Sequence, residues 1–333
     1  MTRSLPSARP ARLAAFAAAG ALAPLPAAAA EWETGVSGYY HLGVSAADID
    51  GASGEGFGVF RDGEIHVNGR LTADNGLVFR ARVEVEAQTT GDQIDENWAS
   101  VSGPFGTILI GGADTALNEH GGVGVVKPTG DFFNYYDNDG GFLPGDPGGF
   151  IGEDDALGVR WFYSVAGFEI GASYQPDEDA DGGQDSNSPV FEGADDQFAF
   201  GASYEAEFDD FAFAVGGGYL TNDDQQQYHV GAEVGFAGFT LAGFYNRDDP
   251  DGATTSDLER FGVGAIYAAG PWRFGGGYVR SDFLNGGGEE DFVHVGGGYS
   301  LAPGVVMNAA FEYGQDQAGL EGVAGLLWMH LRF

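Results

Sequence analysis

Cysteine is absent from this 333-residue sequence. No disulfide and no thiolate-bound metal can therefore hold the fold together. Positive charge is nearly absent too. Lys127 is the single lysine, and lysine plus arginine number 14 against 50 aspartates and glutamates, a formal charge of −36. A chain of that sign cannot neutralise phosphates, which excludes nucleic acid as a partner. Strong acidity with few apolar residues would mean disorder, but 43% hydrophobic and 14% aromatic content speaks against that. Past the first 30 residues no stretch offers the roughly 18 uninterrupted apolar residues of a membrane helix. Catalytic signatures are missing as well: neither G-x-S-x-G nor H-E-x-x-H occurs. Asp177, Asp179, Asp181 and Gly182 open like an EF-hand loop, but Ser188 stands where the bidentate acid belongs. Gly122 and Gly124 begin a dinucleotide fingerprint that Lys127 breaks.

What is present begins with a leader. Arg3, Arg9 and Arg12 precede an apolar stretch from Leu13 to Leu25, followed by four alanines, Ala27 to Ala30. A basic start, a short apolar run and small residues at the cut make a secretory signal over residues 1–30; cleavage after Ala30 would leave Glu31 first in the mature chain, and the other alanines offer alternative cut sites. Pro24 and Pro26 would break a spanning helix there. The leader holds three arginines and no acid, so the remaining chain carries 11 basic and 50 acidic residues, or −39. An exported chain without disulfides needs another source of stability. A closed β-barrel supplies one, because every backbone N–H and C=O is paired around the ring.

The mature sequence alternates with the period of such strands. Phe168, Ile170, Ala172 and Tyr174 point one way, and Glu169, Gly171 and Ser173 the other. Phe198 to Tyr204, Phe211 to Tyr219, Phe261 to Tyr267 and Trp272 to Tyr278 repeat the pattern. Aromatics near both ends of each apolar face fit the two headgroup levels of a bilayer. The opposite faces, such as Ala212, Ala214, Gly216 and Gly218, or His229, Gly231 and Glu233, are small or polar and suited to water. Connections alternate too. Short turns lie at Thr72–Gly76, Pro104–Gly106, Ala166–Gly167, Ala237–Gly238, Ala269–Pro271 and Ala302–Gly304. Longer acidic loops lie at Asp48–Gly56, Gln175–Asp196, Arg247–Asp257, Ser281–Asp291 and Gly314–Gly319. The fold class is all-β: a transmembrane antiparallel barrel of about sixteen strands, wide enough for an aqueous channel, filling residues 31–333.

One connection, Ala113 to Asp155, is far longer than a hairpin needs, and such loops are usually functional. It carries Lys127 and the acids Asp131, Asp137, Asp139, Asp146, Glu153, Asp154 and Asp155. Its aromatics Phe132, Phe133, Tyr135 and Tyr136 would be covered if the loop folded inward against the barrel wall. By strand parity Glu64, His66, Asn68 and Arg70 face the lumen, as do Arg80, Arg82, Glu84, Glu86 and Arg160. His41, His66, His229, His294 and His330 share lumen parity on separate strands without metal-ligand spacing, and read as solvated wall residues.

Three segments, in order, carry a family likeness. These are NWASVSGPFGTILIGGADT (Asn97–Thr115), DALGVRWFYSVAGFEIGASY (Asp155–Tyr174) and the closing LLWMHLRF, with Leu327, Met329, Leu331 and Phe333 on the lipid face. The chain resembles the Gram-negative general-diffusion porins along its whole mature length. The resemblance implies a homotrimer of sixteen-stranded barrels in the outer membrane, among lipid and lipopolysaccharide, passing small hydrophilic solutes. It implies that the long third external loop narrows each pore, so its seven acids above form the acidic side of the constriction. A basic cluster on the wall opposite is also implied, and Arg70, Arg80, Arg82 and Arg160 are its candidates. Terminal Phe333 resembles the signal read by the barrel-assembly machinery. Gly112 departs from the family, which commonly has an arginine there, and so weakens the basic side.

The expected function is a porin for passive diffusion, without cofactor or catalysis, and selective for cations because acids dominate its loops. Loop carboxylates would bind Ca²⁺ loosely at most. Two alternatives stand beside it. A structural or adhesive barrel with a plugged lumen would not conduct. A barrel enzyme such as a lipase would need a serine and a histidine on the lipid-facing rim.

Overall fold

The computed structural model describes residues 31–50, 56–87, 93–124, 156–176, 196–222, 225–250, 257–284 and 287–333. The expected signal over residues 1–30 lies outside them. Sixteen strands follow one another in the chain: β1 (Glu33–Ile49), β2 (Gly56–Thr72), β3 (Val78–Glu86), β4 (Ile94–Gly103), β5 (Gly106–Gly112), β6 (Leu157–Val165), β7 (Phe168–Gln175), β8 (Gln197–Phe208), β9 (Phe211–Thr221), β10 (Gln225–Phe236), β11 (Phe239–Pro250), β12 (Leu258–Ala269), β13 (Trp272–Phe283), β14 (Gly288–Ala302), β15 (Val305–Gln315) and β16 (Glu321–Arg332). A short helix, α1 (Ala116–Gly121), lies between β5 and β6. Each strand pairs antiparallel with its sequence neighbours, and β16 returns to β1, so the sheet closes with no free edge. In hydrocarbon an unpaired backbone group costs several kcal/mol, and closure removes every such row.

The seam is fixed at both ends. His41 sits opposite His330 in the β1–β16 register, and Ile49 opposite Gly322. Below them Gly38 and Phe333 exchange backbone hydrogen bonds, Gly38 N–H to Phe333 O at 2.9 Å and Phe333 N–H to Gly38 O at 3.1 Å.

Alternation sets the two faces as the sequence predicts. Along β16, Val323 and Leu327 are exposed while Ala324, Leu326, Trp328 and His330 are buried inside the ring. Outward aromatics form two belts. Phe168–Tyr204, Phe239–Tyr267 and Trp272–Tyr299 pack ring against ring across strands near the short turns. Tyr174–Phe198 and Tyr219–Tyr228 do so near the opposite ends. The short turns are tight. Ala166–Gly167 and Ala237–Gly238 each place both residues at positive φ, 50° then 84°, the two-residue hairpin whose twist matches the flanking strands.

Two expectations change. The segments read as loops at Arg247–Asp257 and Ser281–Asp291 are shorter, because their ends stay paired: Arg247 lies opposite Glu259 and Ser281 opposite Glu290. Arg247 bonds Asp249 and Glu259, and Arg280 bonds Asp282 and Asp291, so cross-strand charge pairs extend the ladder beyond the apolar pattern. The inner face is also less uniformly polar than the alternation implied. Phe244, Val279, Phe292, Leu326 and Trp328 form an apolar cluster on the inner face of β11 to β16.

Candidate functional site: the inturned loop and the lumen wall

After β5 the chain turns into the barrel rather than away from it. Thr115 caps α1, its hydroxyl accepting from Asn118 N–H at 3.4 Å. Ala116 N–H, otherwise an orphan of the first turn, donates to Ser173 Oγ on β7 at 2.9 Å. Thr115, Ala116 and Leu117 have 0%, 0% and 1% exposure, which a six-residue helix reaches only when pressed against a wall.

That wall is made of glycine. A Cβ added at Gly171 on β7 would strike the His120 ring. One at Gly201 on β8 would meet Ala116 O and Gly121 N. On β9, Gly216 would strike Val123 and Gly218 would meet Leu117 Cδ1; on β10, Gly231 would strike Val123 O. Lumen-facing glycines on four adjacent strands therefore form a smooth track. The chain from Ala116 to Gly124 crosses it from β7 to β10, over strands spaced about 4.8 Å apart. Gly216, Gly218 and Gly231, expected to face water, face this segment instead, because only a side-chain-free wall admits a backbone so close.

Polar contacts bolt the segment down at both ends. Arg160 on β6, itself buried, donates from Nη1 to Asp114 O at 2.6 Å and lies 4.0 Å from Glu119. His120 Nδ1 bonds Glu169 Oε1 at 2.7 Å, with Ser164 holding the same carboxylate. On β10, His229 Nε2 donates to Val123 O at 2.9 Å, and Gly124 N–H donates to Glu233 Oε1 at 3.3 Å. His229 is thus a loop anchor and not a solvated wall residue. The expectation that the long loop folds inward holds for its described part, Ala113 to Gly124. Lys127 and the acids Asp131, Asp137, Asp139, Asp146, Glu153, Asp154 and Asp155 lie outside the described residues.

Three of the four candidate wall arginines, Arg70, Arg80 and Arg82, line one recess of the wall, and Arg160 stands apart from them. Arg160 sits on β6 at the loop root. Arg70 and Arg80 face each other across β2 and β3, toward the short-turn end, and are exposed. Arg82 lies two positions further along β3, where it ion-pairs with Glu84. Its Nη2 also donates to His66 Nδ1 at 2.6 Å. The other face of that ring turns to two carboxylates, Glu64 Oε2 at 2.9 Å and Glu84 Oε2 at 3.4 Å. Next to it Tyr39 packs on His41 and His330, whose side chains bond each other across the seam. The histidines read as separate are therefore brought together by register: His41 with His330, and His66 with Glu64 and Glu84. The usable signal in the sequence was Glu64-x-His66 on one face, with Glu84 directly opposite on the next strand.

Comparison with known proteins agrees with this architecture. A family model described as Gram-negative porin matches residues 14–319. Among solved structures, one mutant of the Rh. blastica porin is 18% identical with a TM-score of 0.66, covering 90% of this chain and 100% of that one. Another is 17% identical with a TM-score of 0.65 and the same coverage. A loop-deletion mutant of OmpT, an outer membrane protein of Vibrio cholerae, is 17% identical with a TM-score of 0.60, covering 90% and 99%. At these identities the likeness to solved structures is one of fold. Comparison with curated proteins found no match. A closed sixteen-stranded barrel whose long loop turns inward, matched by the family model over nearly its whole length, makes this chain a member of the Gram-negative porins and a protein of the outer membrane.

Proposed function

We propose that the barrel is a water-filled, cation-selective channel through which small hydrophilic solutes and ions diffuse passively, as a homotrimer among outer-membrane lipid and lipopolysaccharide. The observation that carries this reading is the loop root, Asp114 to Gly124, laid across a glycine track inside the lumen. A barrel built only as a surface scaffold has no need to clear four strands of side chains for a loop. Cation preference is supported by how the arginines are used. Arg82 is paired with Glu84, and Arg160 with the loop root. Arg247 and Arg280 near the external rim are each surrounded by three carboxylates. What remains over is negative charge, which concentrates counter-ions at a pore mouth. Asp131, Asp137, Asp139, Asp146, Glu153, Asp154 and Asp155 are proposed to add to it at the narrowest point. Arg70 and Arg80 are proposed as the opposing basic side.

The test is reversal potential across a planar bilayer under a KCl gradient. Cation preference at low salt is expected, shifting toward neutral when Asp137, Asp139, Glu153, Asp154 and Asp155 are changed to their amides. Clear anion preference would overturn the selectivity, and absence of conductance would favour the plugged scaffold. Cross-linking in native membranes checks the trimer, for which the small residues on β1 between Gly35 and Ala47 allow close approach.

A further inference from the structure

One cluster on the lumen wall is used neither by the seam nor by the loop track. Glu64 and His66 occupy successive inward positions of β2, and Glu84 on β3 lies opposite His66. One ligand atom from each, His66 nitrogen and two carboxylate oxygens, falls within 4.8 Å of the others. Glu64 and Glu84 are 6% and 5% exposed. Glu64 Oε1 has no hydrogen-bond partner, although its side chain is more than nine-tenths buried. A buried acceptor left without a donor is costly. Two buried carboxylates side by side repel, and Arg82, paired to Glu84, answers only one of them.

The hydrogen bonds define the ring's state. A guanidinium only donates, so His66 Nδ1 accepts from Arg82 Nη2 and the ring proton sits on Nε2. That proton points between the two carboxylates, at 2.9 and 3.4 Å. It stands where a small divalent cation would satisfy both at once.

We infer that Glu64, His66 and Glu84 form a transition-metal site in the pore wall, suited to Zn²⁺. One imidazole with two carboxylates is a borderline donor set, matched to Zn²⁺ and its neighbours, whereas Ca²⁺ and Mg²⁺ prefer oxygen alone. With metal–ligand bonds of about 2.1 Å in a tetrahedron, ligand atoms stand about 3.4 Å apart. The two distances from His66 Nε2 to its carboxylates are already close to that. Water from the lumen completes the shell, reaching the metal past His66, the most accessible of the three side chains. On binding, the ring proton passes through water from Nε2 to Nδ1, and the metal takes the Nε2 lone pair. Arg82 Nη2 cannot face the new N–H and withdraws from the ring while staying with Glu84. Arg82 is therefore a built-in competitor of the metal. A resident dication beside the cation path slows monovalent cations, so occupancy lowers K⁺ current.

The experiment titrates EDTA-stripped, detergent-solubilised porin with Zn²⁺ by calorimetry, and with Cu²⁺ by EPR. One site per chain is expected above weak loop binding, with imidazole nitrogen coupling in the Cu²⁺ spectrum. His66→Asn should abolish that coupling, and His66→Asn or Glu84→Gln should weaken Zn²⁺ at least roughly tenfold. Arg82→Leu should tighten it several-fold. Micromolar Zn²⁺ should reduce K⁺ current reversibly, with EDTA restoring it. Heat-modifiable mobility and KCl conductance of every variant in EDTA report the barrel and the channel independently of the metal. Wild-type protein without nitrogen coupling, or the same Zn²⁺ affinity in all three variants, overturns the inference while leaving the porin reading intact.

Discussion

Arg160 Nη1 donates to the backbone oxygen of Asp114 across 2.6 Å, and this bond fixes where the long loop departs from the wall. The guanidinium is buried, so the bond is charge-assisted and shielded from water. Arg160→Met keeps the stem's packing but removes the charged hydrogen bond to the Asp114 carbonyl, a loss of roughly 1.5–3 kcal/mol in local stability. Larger and noisier single-channel currents are expected, with the barrel still inserted. Currents indistinguishable from wild type in size and noise would show that the loop root is held by the remaining contacts alone.

The glycine track makes a sharper prediction. Gly201→Ala places a methyl against Ala116 O and Gly121 N, both backbone atoms that cannot swing aside. The outward face of β8 is unchanged, so assembly should proceed while α1 lifts from the wall. Gly325→Ala, where an added Cβ meets nothing within 4 Å, is the control. Conductance should change in the first variant only. Equal behaviour of both would mean that α1 does not rest on β8 in the membrane.

Phe333 joins two roles that substitution can separate. Its backbone closes the seam with Gly38, while the residue is 61% exposed, with its ring on the lipid side. Deleting Phe333 removes both roles; Phe333→Ala removes only the ring. If the ring is the assembly signal, both variants should show less heat-modifiable barrel in the membrane. Normal insertion of Phe333→Ala with poor insertion of the deletion would assign the effect to the seam instead.

The barrel was legible in the sequence because its strand period is two and its turns are chemically marked. Phe168 to Tyr174 can face lipid in only one register, and Ala166–Gly167 sets the hairpin before it. The direction of the long loop was inferred from its aromatics, yet the decisive reason lies elsewhere, in Gly171, Gly201, Gly218 and Gly231. Gly218 and Gly231 looked like a watery face because their partner segment is remote in sequence. Likewise His66 and Glu84 stand 18 positions apart and meet only through the β2–β3 register, which residue spacing along one strand does not reveal. Strand parity already puts Arg82 and Glu84 on one lumen face; what it does not show is that the two are joined as an ion pair.

That pairing yields the last prediction. Arg82 contributes little net field to the pore while Glu84 neutralises it from the same strand face. Glu84→Gln keeps the shape and removes one negative charge, so Arg82 loses its direct ion-pair partner and only Glu64 of the cluster is left to offset it. Local cation concentration should drop and anion concentration rise. Reversal potential in a KCl gradient should therefore move toward the anion side, measured in EDTA so that no metal intervenes. Screening sets the range over which this is visible. The Debye length is about 10 Å at 0.1 M and about 3 Å at 1 M, so the shift should be clear at the lower concentration and nearly vanish at the higher. Arg82→Gln should move selectivity the opposite way, because Glu84 and Glu64 then lack their cation. The double variant should return close to wild type, since a neutral pair has replaced a neutralised one. Selectivity unchanged in both single variants at 0.1 M would place this pair away from the conducting path and leave control of the ions to the charges of the loops.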